Sequence, residues 1–263
     1  MPQEARERGM DFKSYRSYYL FSESVRTKQR SILDDESKIF LEAIVNTCRD
    51  RMSTIEKGVI VFRAQVGHVW RPIYQTNPET KEEMYVDDVP YPFSFDRMKP
   101  LVEGAQEGRA NPKGIPYLYV ASDKETAMAE VRPWLDSIMT VGELEIKRKL
   151  KILDFSLHHG KINFSIYFKQ KPSKKEVNDA VWLEIDNAFS KPTKITETTS
   201  DYAPTQIISE FVKSEGYDGI AYKSSFGDGH NLVLFDTESA DVVNCTVHQA
   251  AEIKYKFQEL EEN

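Results

Sequence analysis

The spacing of apolar residues divides this chain into helical and extended segments. From residue 31 to residue 57, apolar side chains recur at steps of three and four, which predicts one long amphipathic helix with Gly58 just beyond its end. Short apolar or alternating runs elsewhere predict strands. These runs cover residues 59–64, 116–121, 141–146, 152–155, 219–222 and 231–235.

One predicted helix carries a carboxylate on its apolar side. Residues 122–125 read Ser-Asp-Lys-Glu, the pattern of a capping box, so the helix is expected to begin at Ser122. Glu130 shares a face with an apolar stripe, where a charge is costly unless it is paired or faces a polar cleft. Two interpretations stay open: an ion pair with Arg63 or Arg132, and a functional carboxylate. The stripe consists of Ala127, Val131 and Trp134.

The remaining segments complete an α+β pattern. A second capping box at residues 173–176 predicts a helix that runs to about Phe189, and residues 206–215 predict a shorter helix that Gly216 ends. Residues 66–116 hold seven of the 12 prolines and predict a long loop, either functional or disordered. Short strands interspersed with helices favour the α+β fold class.

Composition narrows the choice of compartment and partner. The net charge of −7 argues against a nucleic-acid partner, although a few local arginines could still bind a small anion. No apolar run is long enough to span a membrane, and the first 21 residues lack the apolar stretch of a signal peptide. Cys48 and Cys245 are too few for a disulfide framework and are expected to be buried thiols in a reducing compartment. We therefore expect a cytoplasmic protein.

Several common chemistries lack their motifs. The chain has no G-x-x-x-x-G-K-[ST] phosphate loop, no G-x-G-x-x-G after a strand, no H-E-x-x-H and no G-x-S-x-G. None of the five histidines has metal-ligand spacing with a cysteine or another histidine. The sequence therefore predicts neither a metal site nor a Ser-His-Asp enzyme.

The polar residues that remain suit a ligand with a phosphate and an aromatic ring. Guanidinium groups such as those of Arg63 and Arg109 form paired hydrogen bonds to phosphate oxygens, and Tyr119 offers a flat face. A carboxylate such as Glu130 can stabilise an oxocarbenium-like transition state at a sugar. Cationic nicotinamide leaves without needing a proton, so one glutamate is enough for the glycosidic bond of NAD. Each residue also has a structural interpretation, for example Tyr119 as a core tyrosine.

Four sequence pieces occur together and in order over residues 59–235. On these pieces the chain resembles the RES-domain family, named for its arginine, glutamate and serine. The resemblance implies an ADP-ribosyltransferase-like mixed β core with flanking helices, and activity on NAD in proteins related to toxins of toxin–antitoxin pairs. The pieces are Phe62-Arg63-Ala64, the turn at residues 108–114, residues 118–131 around Tyr119 and Glu130, and residues 216–232 with Ser224, Ser225 and Asn231.

The resemblance also implies a role for each of these residues. Glu130 would stabilise the ribosyl cation, with Arg63 and Ser224 as further catalytic residues. Arg63 would also contact the pyrophosphate or a ribose hydroxyl, and Arg109 would hold a phosphate. Tyr119 would stack on the nicotinamide or order its ribose. Ser224 or Ser225 would hydrogen-bond the nicotinamide side, with Ser224 slightly preferred, and Asn231 would also contact the ligand.

The resemblance further implies a domain plan and a set of functions. Residues 1–57 would form an N-terminal helical extension, residues 58–245 the RES domain and residues 246–263 a tail. The function would be NAD degradation by hydrolysis or phosphorolysis, with NAD as substrate and no separate cofactor. An ADP-ribosyltransferase with a protein acceptor and a non-catalytic nucleotide-binding module are the alternatives. An inhibitory antitoxin would be a partner, and the oligomeric state is left open.

Overall fold

The computed structural model has a mixed α+β fold built on one large, mostly antiparallel sheet. The α+β class predicted from the sequence is therefore confirmed. Within the described residues, no helix combines the length and the apolar character that crossing a bilayer needs. The structure describes residues 11–101, 103–157, 159–161, 166, 168–192, 199–254, 257 and 259.

The helices lie in three regions of the chain. Two precede the first strand, one follows the fifth strand, and two lie between the seventh and eighth strands. The capping box predicted for the fourth helix is present, because Ser173 and Glu176 bond each other's backbone N–H groups. The α-helices in the described residues are α1 (Ser17–Thr27), α2 (Asp35–Thr47), α3 (Lys124–Glu130), α4 (Lys174–Ser190) and α5 (Ala203–Ser214).

The strands form an eight-stranded sheet and a separate hairpin. The order in the large sheet is β1-β7-β8-β9-β5-β2-β6-β10, and the hairpin pairs β3 with β4. Among the pairs in the large sheet, β7 and β8 run parallel and the others antiparallel. The strands are β1 (Met52–Ile55), β2 (Ile60–Val66), β3 (Val69–Thr76), β4 (Glu83–Tyr91), β5 (Leu118–Ala121), β6 (Ile138–Ile146), β7 (Leu150–Asp154), β8 (Gly219–Lys223), β9 (His230–Leu234) and β10 (Ala240–Gln249).

The sheet opens at its centre, between β2 and β5. These neighbours meet at one register position, Phe62 opposite Ala121. Beyond that position β2 continues to pair with β6, and β5 with β9, so each strand follows its outer neighbour. The two strands therefore diverge along the stretch that carries Arg63 on one side and Tyr119 on the other.

The largest apolar core joins the N-terminal helices to the sheet. Phe21 of α1, Ile44 of α2, Trp182 of α4 and Ile208 of α5 are buried in one cluster with Phe155, which follows β7. Packing four helices on one sheet face removes large aromatic and aliphatic side chains from water, which is the main stabilising term. The division of the chain at residues 57 and 245 stays a prediction. β1 pairs with β7 across the first boundary, and β10 runs through the second.

The long helix predicted over residues 31–57 is wrong beyond Thr47. After α2 the chain makes a 3-10 turn at Arg49–Arg51 and continues as β1. Arg51 is buried, donates hydrogen bonds to two backbone carbonyls beyond β7 and lies 4.5 Å from the centre of the Trp182 ring. These contacts hold Arg51 in the protein interior, so the helix does not continue and the chain pairs with the sheet as β1. Gly58, with φ +87°, lies between β1 and β2.

The loop predicted over residues 66–116 is wrong in its first half, where β3 and β4 form a hairpin. Nearly every residue of this hairpin is exposed, so its strands lack the alternation between buried and exposed residues that marks a half-buried strand. Pro72 and Pro90 also lie within the two strands, and proline argues against a strand in sequence-based prediction. The hydrophobic pattern of the sequence therefore could not predict the hairpin.

Candidate active site

A pocket of about 190 Å³ lies where β2 and β5 diverge. Four of the residues that the sequence predicts for the site line this pocket, namely Arg63, Tyr119, Glu130 and Asn231. β2 supplies Arg63, β5 supplies Tyr119, α3 supplies Glu130 and β9 supplies Asn231. The site thus depends on the central strands of the sheet and on the one helix that follows β5.

The position of Glu130 follows from how α3 begins and ends. Asp123, not Ser122, is the N-cap, since its Oδ1 accepts a hydrogen bond from the Thr126 N–H at 2.7 Å. The start predicted at Ser122 is thus wrong by one residue. α3 ends at Glu130, so Trp134 does not belong to the helical stripe and is 77% exposed, which corrects its predicted burial. The short helix places Glu130 in its last turn, beside the pocket.

Two neutral donors hold the Glu130 carboxylate. The Ser224 hydroxyl and the Asn231 side-chain amide each donate to Glu130 Oε1, both at 2.6 Å. Among the described residues, none donates a hydrogen bond to Oε2. Glu130 is therefore held by hydrogen bonds and not by an ion pair with Arg63. One carboxylate oxygen is fixed, and the other keeps its capacity to interact with a positively charged centre in the pocket.

The Ser224 hydroxyl has used all of its hydrogen-bonding capacity. It donates to Glu130 and accepts from the backbone N–H groups of Phe226, at 3.1 Å, and Gly227, at 3.0 Å. A serine hydroxyl offers one donor and two acceptor positions. Ser224 is only 4% exposed and does not line the pocket. In this arrangement it positions Glu130 and has no position left for a ligand.

Arg63 brings an unsatisfied positive group to the pocket. Its Nη1 is buried and has no hydrogen-bond partner among the described residues. Burial lowers the pKa of the Arg63 guanidinium, and the nearby Tyr119 phenol offsets only part of this effect. A buried donor without an acceptor is unfavourable, and an anionic ligand would satisfy it.

Tyr119 faces the pocket with its ring while its hydroxyl is committed elsewhere. The hydroxyl donates to Asn111 Oδ1 at 2.7 Å and accepts from the Ala110 N–H at 3.0 Å. Burial raises the pKa of Tyr119, so the phenol stays neutral. Gly108 allows this packing, since a Cβ there would lie 2.6 Å from the Tyr119 hydroxyl oxygen. Tyr119 can therefore offer a ligand its ring but not its hydroxyl.

Arg109 and Ser225 lie outside the residues that line the pocket. Arg109 Nη1 donates to the Ala188 carbonyl at 2.8 Å, and the Ser225 hydroxyl donates to the Ser190 carbonyl at 2.6 Å. Both carbonyls belong to the last turn of α4, where backbone acceptors lack partners within the helix. The structure therefore places these two residues as anchors for the C-terminus of α4. Their predicted contacts with a ligand stay a prediction.

Other residues of the site had weak sequence signals. Tyr222 of β8 lines the pocket and is buried, and that burial raises its pKa. The Thr126 hydroxyl accepts from the Gly229 N–H at 3.0 Å and ties α3 to the loop between β8 and β9. A Cβ on Gly229 would collide with the Asp123 carboxylate. Gly227 and Gly229 were the available signal for this contact in the sequence, because glycines often mark a loop that approaches another element closely.

A second cavity, of about 770 Å³, adjoins the pocket and shares Arg63 and Tyr119 with it. Gln65, Arg97 and Lys99 also line this cavity. Among the described residues, no group of three His, Cys, Asp or Glu side chains could hold a metal ion. The features that could bind a ligand are thus two adjoining cavities with positive side chains and a positioned carboxylate.

One solved structure aligns with this chain over most of its length. A chain from the crystal structure of the M. tuberculosis MbcT–MbcA toxin–antitoxin complex aligns with 79% of this chain and 93% of its own, at 15% sequence identity and a TM-score of 0.43. Among curated proteins, none matches this sequence.

A match to a protein-family model shows which family the chain belongs to. The model of the RES domain matches residues 87–258, well over half of the chain. The match includes α3 and β9, which carry Glu130 and Asn231, and also Ser224, which directly follows β8, whereas Arg63 lies before it. The resemblance stated from the sequence is confirmed. The chain belongs to the RES domain family.

Proposed function

We propose that this protein is an enzyme that breaks the bond between nicotinamide and ribose in NAD, with water or inorganic phosphate as the acceptor. The observation that carries the proposal is the Glu130 carboxylate, which has one oxygen held by Ser224 and Asn231 and the other without a donor among the described residues. Membership of the RES domain family supports the same assignment.

To cleave the bond between nicotinamide and ribose, the protein mainly has to stabilise the positive charge that develops on the ribose. As the bond to C1′ breaks, its electron pair moves to the pyridinium nitrogen, so nicotinamide leaves as a neutral molecule. Positive charge develops on the ribose, and a carboxylate in a fixed position stabilises it without having to reorganise. An oxygen of water or phosphate then bonds to C1′, and an attacking water passes one proton to the solvent. A single carboxylate is enough because the leaving group needs no proton.

The pocket suits the nicotinamide end of NAD. Arg63 would meet a phosphate oxygen of the pyrophosphate, which would satisfy its buried Nη1. The ring of Tyr119 would offer a face to the nicotinamide, and Asn231 would hold Glu130. We propose Glu130 as the catalytic residue, Arg63 as a ligand-binding residue, and Ser224 with Asn231 as residues that position the carboxylate.

Release of free nicotinamide from NAD by the purified protein tests this function. Glu130→Gln keeps the size of the side chain and removes its charge, so we expect release to fall by about a hundredfold or more. Glu125→Gln makes the same change on the exposed side of α3 and should leave the rate unchanged. A fully active Glu130→Gln variant would overturn the assignment.

The same assay separates the possible acceptors. Release that is independent of inorganic phosphate indicates hydrolysis, and release that requires phosphate indicates phosphorolysis. Labelled NAD that marks protein in a lysate would instead indicate ADP-ribosyl transfer.

A toxin role with an inhibitory antitoxin belongs to the same proposal and is supported by family membership. It predicts growth arrest on expression of the wild type but not of Glu130→Gln.

A further inference from the structure

We propose that the larger cavity binds the adenylate half of the dinucleotide and that Arg97 recognises that half. This inference rests on the proposed function, because it takes NAD as the ligand. It adds a second binding site, with a nucleoside monophosphate as the chemical class that fits it.

The sizes of the two cavities support a divided ligand. The pocket at Glu130 has about 190 Å³, which is below the roughly 300–1,000 Å³ of a typical small-molecule site. The adjoining cavity has about 770 Å³ and shares Arg63 and Tyr119 with the pocket. A ligand whose ribose lies at Glu130 would therefore pass its pyrophosphate by Arg63 and extend its other nucleotide into the larger cavity.

Besides Arg63, which the two cavities share, Arg97 is the cation of the larger cavity that can contact a phosphate. Lys99 also lines the cavity, but its ammonium group is paired with Glu238 at 3.2 Å and with Asp241 at 3.0 Å. Arg97 forms no ion pair with any residue that the structure describes. Arg97 is exposed, and Asp96 also lines the cavity. In a chain of net charge −7, a guanidinium that lines a cavity and has no ion pair among the described residues still offers an anion a place to bind.

The surrounding structure holds Arg97 in place before a ligand arrives. The Arg97 guanidinium carbon lies 3.8 Å from the centre of the Phe93 ring, and Phe93 is buried. Arg97 lies in a 3-10 turn, Phe95–Met98, and the Gln65 side-chain amide donates to the Arg97 carbonyl at 3.1 Å. This bond ties the turn to β2. A guanidinium stacked on a ring keeps its N–H groups at the edge free for phosphate oxygens. Less conformational entropy is then lost when a ligand binds.

Direct titration of AMP into the protein tests the site without requiring turnover. We expect AMP to bind the wild type and Arg97→Ala to weaken its affinity by about tenfold. The matched control is Arg71→Ala, because Arg71 also lies over an aromatic ring, that of Tyr91 at 4.9 Å, but on the hairpin and outside the cavity. Arg71→Ala should bind AMP like the wild type.

Kinetics provide a second, independent test. Arg97→Ala should raise the KM for NAD by about tenfold with kcat unchanged, and should leave cleavage of nicotinamide mononucleotide unaffected, since that substrate lacks the adenylate half. No AMP binding by the wild type, or equal binding by the Arg97→Ala and wild-type proteins, would overturn the inference. Arg97-dependent AMP binding in a protein that releases no nicotinamide would overturn the proposed function and leave the nucleotide site standing.

Discussion

Two adjacent serines have different partners in this structure. Ser224 bonds the Glu130 carboxylate, and Ser225 bonds the last carbonyl of α4. The sequence could not distinguish them, because both follow β8 in one loop. The geometry supports Ser224 as the residue that acts on catalysis, through Glu130 and without touching the ligand. Its role in the reaction stays a prediction until it is measured.

Ser224→Ala should lower kcat for NAD cleavage by about tenfold to a hundredfold, because Glu130 loses one of the two donors that orient it. The KM for NAD should change little, since Ser224 does not line the pocket. Ser224→Thr keeps the hydroxyl and should restore most of kcat, and Ser225→Ala is the control for the neighbouring position. Unchanged kcat in Ser224→Ala would contradict the positioning role.

At the scale of elements, the sequence predicted most of the segments that bury apolar surface, although it missed α1, whose Phe21 lies in the largest core. The strands β6, β7, β8 and β9 were predicted close to their observed positions, because their inward residues alternate or form apolar runs. α4 was predicted from its capping box, whose bonds are local. β10 was missed because it is an edge strand that pairs with β6 alone and is half exposed along much of its length.

Four of the residues singled out from the sequence line one pocket, but the hydrogen bonds that position them could not be predicted. Glu130 stood out because a carboxylate on an apolar face needs an explanation, and the pocket beside it supplies one. The anchoring of α4 by Arg109 could not be read from the sequence, because Arg109 and Ala188 are 79 residues apart. Long-range contacts of this kind decide whether an arginine in a turn meets a ligand or a helix end.

The contact between α3 and the loop from β8 to β9 makes a prediction at this scale. Gly229→Ala would push a methyl group into the Asp123 carboxylate that caps α3. We expect the free energy of unfolding to fall by about 1–3 kcal/mol, measured by urea denaturation. Asp228→Ala changes an exposed neighbour in the same loop and should be nearly neutral. A Gly229→Ala protein as stable as the wild type would show that the loop can move away from α3.

At the scale of the whole molecule, several tyrosines are buried or half-buried as neutral phenols. Burial is the first cause of a raised pKa at each of them, and the pKa of Tyr117 rises from 10.0 to about 12. The unfolded chain would ionise these groups near pH 10, while the folded protein would not. The tyrosines concerned are Tyr18, Tyr117, Tyr119, Tyr217 and Tyr222.

The free energy of unfolding should therefore fall at alkaline pH. A group whose pKa is higher in the folded state contributes fully below its unfolded pKa, and the contribution is lost as pH rises towards the folded value. For Tyr117 that window runs from about pH 10 to about pH 12. We expect the urea midpoint to be similar at pH 7 and pH 9 and clearly lower at pH 11. Equal midpoints at pH 9 and pH 11 would contradict the burial of these phenols.

The place of β9 in the sheet has a consequence for the order in which the molecule is made. β9 lies between β8 and β5, and it connects the half of the sheet that holds β1, β7 and β8 to the half that holds β5, β2 and β6. A ribosome makes β9 after all of these strands, so a growing chain cannot join the two halves before residue 234 has emerged. Asn231 arrives with the same strand, and Ser224 shortly before it. No nascent chain that ends before β9 can therefore assemble the pocket, because it lacks both Asn231 and the strand that joins the two halves of the sheet.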